Sequence, residues 1–227
     1  MSWNAPSCAR VVYEYYRETL PDANLERFET MLRYVDKVDS GNLTADEILN
    51  PDGWILLGFI MDPRTGLGRF SQFTITNMGL MKLLSRACGS MDIDAILALP
   101  DAAERAALYF EQDKLFREMI QKYSKIEDTV IILDLRGAAP IYAGNRFLLY
   151  TLFPDQNISI TLIDGADREK CTISAGYSII NKTATVDIGK LMLAYQGGGH
   201  RQVGTCQVSY TVADQVLQDI VKACKVR

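Results

Sequence analysis

Through the first half of the chain, apolar residues recur every three or four positions, which is the period of one helical face. In 6–20 they fall at Val11, Val12, Tyr15 and Tyr16, and Pro21 stops the pattern, so a helix with a core-facing Val-Tyr stripe is predicted there. In 25–41 the spacing of Leu25, Phe28, Met31, Leu32, Val35 and Val38 predicts a second helix ending at Ser40-Gly41. Segments 77–88 and 101–124 read as two more, the latter long and charged on one face. The run 53–63, GWILLGFIMDP, is apolar throughout, so it reads as a buried strand or a helix end leading to Asp62.

After residue 125 the pattern changes. TVIILDL (129–135), ISITLID (158–164) and CTISAGYSI (171–179) are rich in β-branched residues and bounded by turn residues, and each predicts a strand. Helices are expected at 144–153, at 186–196, where the glycine run ends the helix, and at 211–226, with Thr211 as N-cap. Strands alternating with helices make 126–227 a compact α/β unit, joined to a mainly helical 1–125.

Composition narrows the function. A net charge of −4 supplies no basic field for a nucleic-acid groove, and the acidic excess lies wholly within 1–125. The 5 cysteines are odd in number and contain no Cys-x-x-Cys, which reads as reduced thiols in a cytoplasmic protein. No apolar run reaches the roughly 18–20 residues of a membrane span, so no membrane partner is expected.

The chemistry concentrates at YQGGGHRQVGTCQ (195–207). One glycine suffices to end a helix, so Gly197, Gly198 and Gly199 in succession call for a further reason. Backbone N–H groups without Cβ atoms can turn inward as an anion-binding nest, with His200 and Arg201 beside them as donors. A helix cap followed by a plain loop, with a structural His200, is the competing reading. The spacing is not that of a Walker loop, which requires Lys and Ser or Thr after the last glycine.

The run DIGKLMLAYQGGGHRQVGTCQ resembles the C-terminal domain, DHHA1, of the DHH phosphoesterases, where a helix leads into Gly-Gly-Gly-His. The strands at 129–135, 158–164 and 171–179 are similar to that domain's strands. The resemblance implies that Gly197, Gly198, Gly199, His200 and Arg201 bind substrate phosphate. Arg136 and Arg146 are further candidate cations, or ordinary surface arginines. Substrates in such a family include polyphosphate, short oligonucleotides and cyclic dinucleotides.

LLGFIMDPRTGLGRFSQFTITN (56–77) resembles the family's fourth motif, a strand whose end carries Asp-Thr-Gly followed by an aromatic, here spaced out as Asp62-Pro63-Arg64-Thr65-Gly66. The resemblance makes Asp62 the metal-binding carboxylate, and Pro63 disfavours a helical conformation at Asp62. An Asp opening a surface turn before Pro is the alternative. Asp36 and Asp39 lie three apart on one helical face and could hold Mn²⁺ or Mg²⁺, or form a solvated helix end.

The family's chemistry needs two metals held by Asp and His clusters, among them an Asp-His-His motif. His200 is the only histidine, so these 227 residues contain no such motif. The expected fold is therefore α/β and incomplete: a mostly helical remnant of a DHH parallel-sheet domain, followed by a compact DHHA1 domain. Helices that have lost their sheet would expose apolar surface and favour self-association. Three functions follow from the resemblance: a metal-dependent phosphoesterase, a non-catalytic phosphate or nucleic-acid-binding module, and an inactive truncated paralogue.

Overall fold

The computed structural model describes residues 5–165 and 169–225. The chain divides into two units: residues up to Asp113 with Ala143–Arg146, and Lys114–Tyr142 with the remainder from Phe147. The division falls inside the long helix, upstream of residue 125.

The first unit is helical among its described residues. Its helices are α1 (Cys8–Thr19), α2 (Glu29–Ser40), α3 (Ala45–Leu49), α4 (Gly53–Met61), α5 (Asn77–Ala87) and α6 (Ile93–Leu97), with the start of α7 (Pro100–Tyr123). Local signals set their ends. Gly41 takes the left-handed conformation that closes α2 (φ 66°) and donates to the Lys37 and Val38 carbonyls. Thr44 and Glu47 form a reciprocal capping box on α3.

The apolar run at 53–61 is helix, not strand. It buries Ile55, Leu56, Leu57, Phe59 and Ile60, so no polar face remains to reveal its period. A Cβ at Gly58 would lie 3.4 Å from Val38, so α4 meets α2 closely there. The stripe on α1 departs from expectation. The helix buries no residue, and Val12, Tyr15, Tyr16 and Leu20 stand 53%, 51%, 46% and 50% exposed. A stripe is amphipathic whether or not anything covers it, and nothing among the described residues buries this one.

The second unit is built on a mixed sheet of strands β1 (Ser124–Glu127), β2 (Val130–Asp134), β3 (Ile158–Asp164), β4 (Lys170–Tyr177), β5 (Gly198–His200) and β6 (Val203–Ser209). They stand in the order β1-β2-β3-β4-β6-β5. Only β2 and β3 run parallel, and the crossover between them contains α8 (Leu148–Leu152). Helices α9 (Ile188–Leu193) and α10 (Tyr210–Cys224) follow. One sheet face, carrying Ile160, Leu162, Cys171, Ile173, Ala175 and Cys206, joins Ile188, Met192, Ala213, Leu217 and Ile220 in a continuous core.

Three expectations are corrected in this unit. The helices at 144–153 and 186–196 are shorter than predicted. The N-cap of α10 is Ser209, whose hydroxyl accepts from the Thr211 amide, and Thr211 already lies inside the helix. Residues 198–209, where no strand is predicted, form the hairpin β5–β6, with Arg201 and Gln202 at its turn.

Candidate phosphate-binding site

The candidate residues fall into two groups. Asp36, Asp39, Asp62 and Arg146 belong to the first unit, and Arg136 and Gly197–Arg201 belong to the second.

Asp62 follows the last turn of α4 with extended backbone (φ −70°, ψ 115°), as expected of a residue before proline. Pro63 opens a short 3₁₀ turn whose first amide, on Arg64, donates to the Asp62 carboxylate at 2.9 Å. The Arg64 Nε donates to the same carboxylate at 2.8 Å, and the Arg146 guanidinium bonds its second oxygen. Burial works against the charge on Asp62. The hydrogen bonds from Arg64 and the charges of Arg146 and Arg64 outweigh it, and the carboxyl sits below its ordinary value.

Asp39 and Asp62 line one cavity of about 340 Å³, walled by Met31, Tyr34, Val38, Trp54 and Leu57. Asp36 is engaged elsewhere: it accepts from Ser7 Oγ at 2.7 Å and from Arg10 Nε at 2.9 Å. Among the described residues no group of three His, Cys, Asp or Glu could hold a metal ion. With the oxygens of Asp62 bonded by two guanidinium groups, these residues do not fit a two-metal centre.

This ion pair gives a pH prediction. Because the folded pKa of Asp62 is depressed, its stabilisation is present above the unfolded carboxyl pKa of about 4 and is lost as pH falls through the folded value. Thermal melts at a series of pH values should show the parent losing stability on acidification more steeply than Asp62→Asn. Parallel curves would refute the assignment.

In the second unit, Arg136 is also committed. It donates to Asp134 at 2.9 and 2.6 Å and pairs with Asp214 at 2.8 Å. The Asp134 hydrogen bond, together with Asp214, outweighs burial and raises its pKa. Neither arginine stands as a spare cation: Arg146 serves Asp62, and Arg136 ties β2 to α10.

The glycine run is not a concave nest. Gly198–His200 is an extended strand at the sheet edge, and extended residues aim successive amides to opposite sides. The three glycines differ in their surroundings. A Cβ on Gly197 would overlap the Thr205 carbonyl and lie 2.7 Å from the Cys206 Cβ. One on Gly199 would overlap the Val203 carbonyl, and the φ of 152° there is unfavourable for any side chain. One on Gly198 meets nothing within 4 Å. Two glycines thus let β5 approach β6, and the middle one leaves open space.

Helix α9 seals the other side of this hairpin. A Cβ on Gly189 would lie 3.0 Å from the backbone of Gly199 and His200, and the Ile188 amide donates to the Arg201 carbonyl at 3.0 Å. His200 and Arg201 are exposed. The Gln202 amide donates to His200 Nδ1 at 3.3 Å, so the neutral ring carries its proton on Nε2 and offers it outward. The Arg201 guanidinium makes a long 3.5 Å hydrogen bond to the Thr185 carbonyl, and its charge helps to lower the pKa of the Asp187 carboxyl. Two outward cationic or polar donors beside an open glycine can receive an anionic oxygen.

Sequence reasoning missed the strand character of this stretch. The signal was the alternation of inward Gly204 and Cys206 with outward Val203, Thr205 and Gln207.

No family model and no curated protein matches the chain. Among solved structures, it is similar to the pGpG-specific phosphodiesterase PggH from Vibrio cholerae at 43% identity and a TM-score of 0.82, over 96% of this chain and 73% of that one. An exopolyphosphatase-related protein from Bacteroides fragilis is 14% identical, covering 64% of this chain and 41% of its own, with a TM-score of 0.41. A DHH domain described as a member of the s1p family of ribosomal proteins is also 14% identical, over 76% and 50%, at 0.41. At 43% identity over nearly its whole length, the chain belongs to the DHH family of phosphoesterases.

Proposed function

We propose that this chain holds the phosphate of a short linear nucleotide diester such as pGpG, and that it does so at Gly198, His200 and Arg201. The observation that carries the reading is the outward Nε2 donor of His200 beside the one glycine of the run with open space at its Cα. The 43% identity to a pGpG-specific phosphodiesterase supports the choice of substrate class.

In this reading Arg201 neutralises and His200 orients a phosphate oxygen, while the packed Gly197 and Gly199 hold the strand that presents them. The described carboxylates do not fit a two-metal centre. That mismatch favours a second reading, a phosphate-binding module without hydrolysis by this chain alone. Titration of the purified chain with pGpG, followed by a product assay in Mn²⁺ and in Mg²⁺, separates the two. Binding with cleavage supports the phosphodiesterase, binding without cleavage supports the module, and absence of binding defeats both. The five cysteines, all free thiols, support a reducing, cytoplasmic setting, and no described helix is long and apolar enough to cross a membrane.

The exposed stripe Val12, Tyr15, Tyr16 and Leu20 supports association between copies. Sedimentation of the parent is expected to depend on concentration, and Tyr16→Lys to shift it toward monomer. A parent that is monomeric at every concentration would dispose of this.

A further inference from the structure

Strand registers place a second set of polar groups next to His200. Gly198 stands opposite Thr205, Thr205 opposite Ser174, and Ser174 opposite Thr161, forming one cross-strand row. The neighbouring row runs from His200 through Val203 and Gly176 to Ser159. Residues directly opposite one another share a face, so His200, Thr205, Ser174 and Thr161 line the same side of the sheet. The other side, with Cys171, Ile173, Ala175 and Cys206, is sealed by α9 and α10.

On the open side Thr205 is exposed, and Thr172, Ser174 and Thr161 are half-buried. The Ser174 and Thr205 hydroxyls lie 3.1 Å apart. Their mutual bond uses one of two O–H donors, which leaves one donor and free lone pairs for another molecule. Tyr150 closes the floor on one side, its hydroxyl 2.8 Å from Ser159 Oγ. A Cβ at Gly176 would stand 3.5 Å from that Tyr150 hydroxyl, so the floor stays low beside it.

The chemistry of this floor discriminates among phosphate compounds. From Thr172 to Gly176 and from Val203 to Gln207 the face carries no charged side chain. A polyphosphate chain repeats its negative charge along its length and needs a cation at each step. Hydroxyls that both donate and accept suit instead a neutral group with mixed donors and acceptors, as a ribose or base edge has.

We propose that the hydroxyl floor of Ser174 and Thr205 seats the nucleoside attached to the phosphate held by His200, and so selects nucleotide esters over polyphosphate. The inference rests on the phosphate-binding reading above. Its test compares two probes, pGpG and inorganic tripolyphosphate, by titration calorimetry of the full chain. The variants are Ser174→Ala with Thr205→Val, made together, and His200→Ala separately.

The double variant is expected to bind pGpG about tenfold more weakly and tripolyphosphate as the parent does. Its melting temperature should match the parent's, since valine keeps the shape of threonine on an exposed strand. Unchanged pGpG affinity in the double variant, with His200→Ala still weakened, overturns the nucleoside seat and leaves the phosphate site standing. Equal losses for both probes overturn it as well, because the floor would then not discriminate. If His200→Ala binds pGpG as tightly as the parent, the underlying reading fails first.

Discussion

His200→Ala is expected to weaken pGpG binding by about 10- to 100-fold, the range of one or two charge-assisted hydrogen bonds to an anion. The side chain is exposed and its one hydrogen bond among the described residues is a 3.3 Å acceptance from the Gln202 amide, so the melting temperature should scarcely move. Two conservative variants sharpen the result. In His200→Asn the short amide oxygen can replace Nδ1 as acceptor but nothing reaches outward. In His200→Gln the longer amide can present a donor near the Nε2 position. Binding should therefore survive better in the Gln variant than in the Asn variant. The reverse order would mean that His200 acts by shaping the turn and not by meeting the ligand.

Gly199→Ala and Gly197→Ala should each destabilise the second unit by about 3 kcal/mol or more, whereas Gly198→Ala should cost less than about 1 kcal/mol. At Gly199 the added methyl would run into the Val203 carbonyl and lie 2.5 Å from the Gly204 Cα, both backbone atoms of the paired strand. At Gly197 it would meet the Thr205 carbonyl and Cys206. Backbone cannot rotate out of the way as a flexible side chain can, so β5 would have to separate from β6. At Gly198 the methyl enters open space on the face shared with Thr205, so denaturation curves should barely shift. The same methyl occupies ground the proposed phosphate needs, so Gly198→Ala should lose affinity several-fold while remaining folded. A Gly199→Ala protein as stable as the parent would show that β5 does not pair as described.

Much of the fold was legible along the chain because the relevant physics is local. The stop of α2 at Ser40-Gly41, the long α7 and the strands β2 and β3 follow from periodicity, β-branched content and end signals. Where pattern failed, the deciding term was not local. The run 53–61 is apolar on every side, so only its burial within the first unit determines that it is helix. The hairpin β5–β6 contains three glycines, Gly198, Gly199 and Gly204, which lowers its intrinsic strand preference, and pairing with β4 overrides that.

The candidate residues divide in the same way. The Gly-Gly-Gly-His stretch announced itself by composition and by family resemblance. Asp62, Asp36, Arg136 and Arg146 each have the residue type a metal or phosphate site needs, yet each bonds to another protein group. No sequence pattern reveals such pairing when the partners lie far apart, as Asp62 and Arg146 do at a separation of 84 residues.

The sequence by itself determined where the long helices and three of the six strands lie, that a single imidazole follows three glycines, and that no Asp-His-His motif occurs in these residues. Periodicity, end signals and residue identity are properties of short stretches. Only the tertiary structure decided which charges are spent on one another, that the Val-Tyr stripe of α1 is uncovered, and which glycine stands open. Those outcomes depend on distances between segments remote in sequence, where an ångström of approach separates a packed glycine from an accessible one.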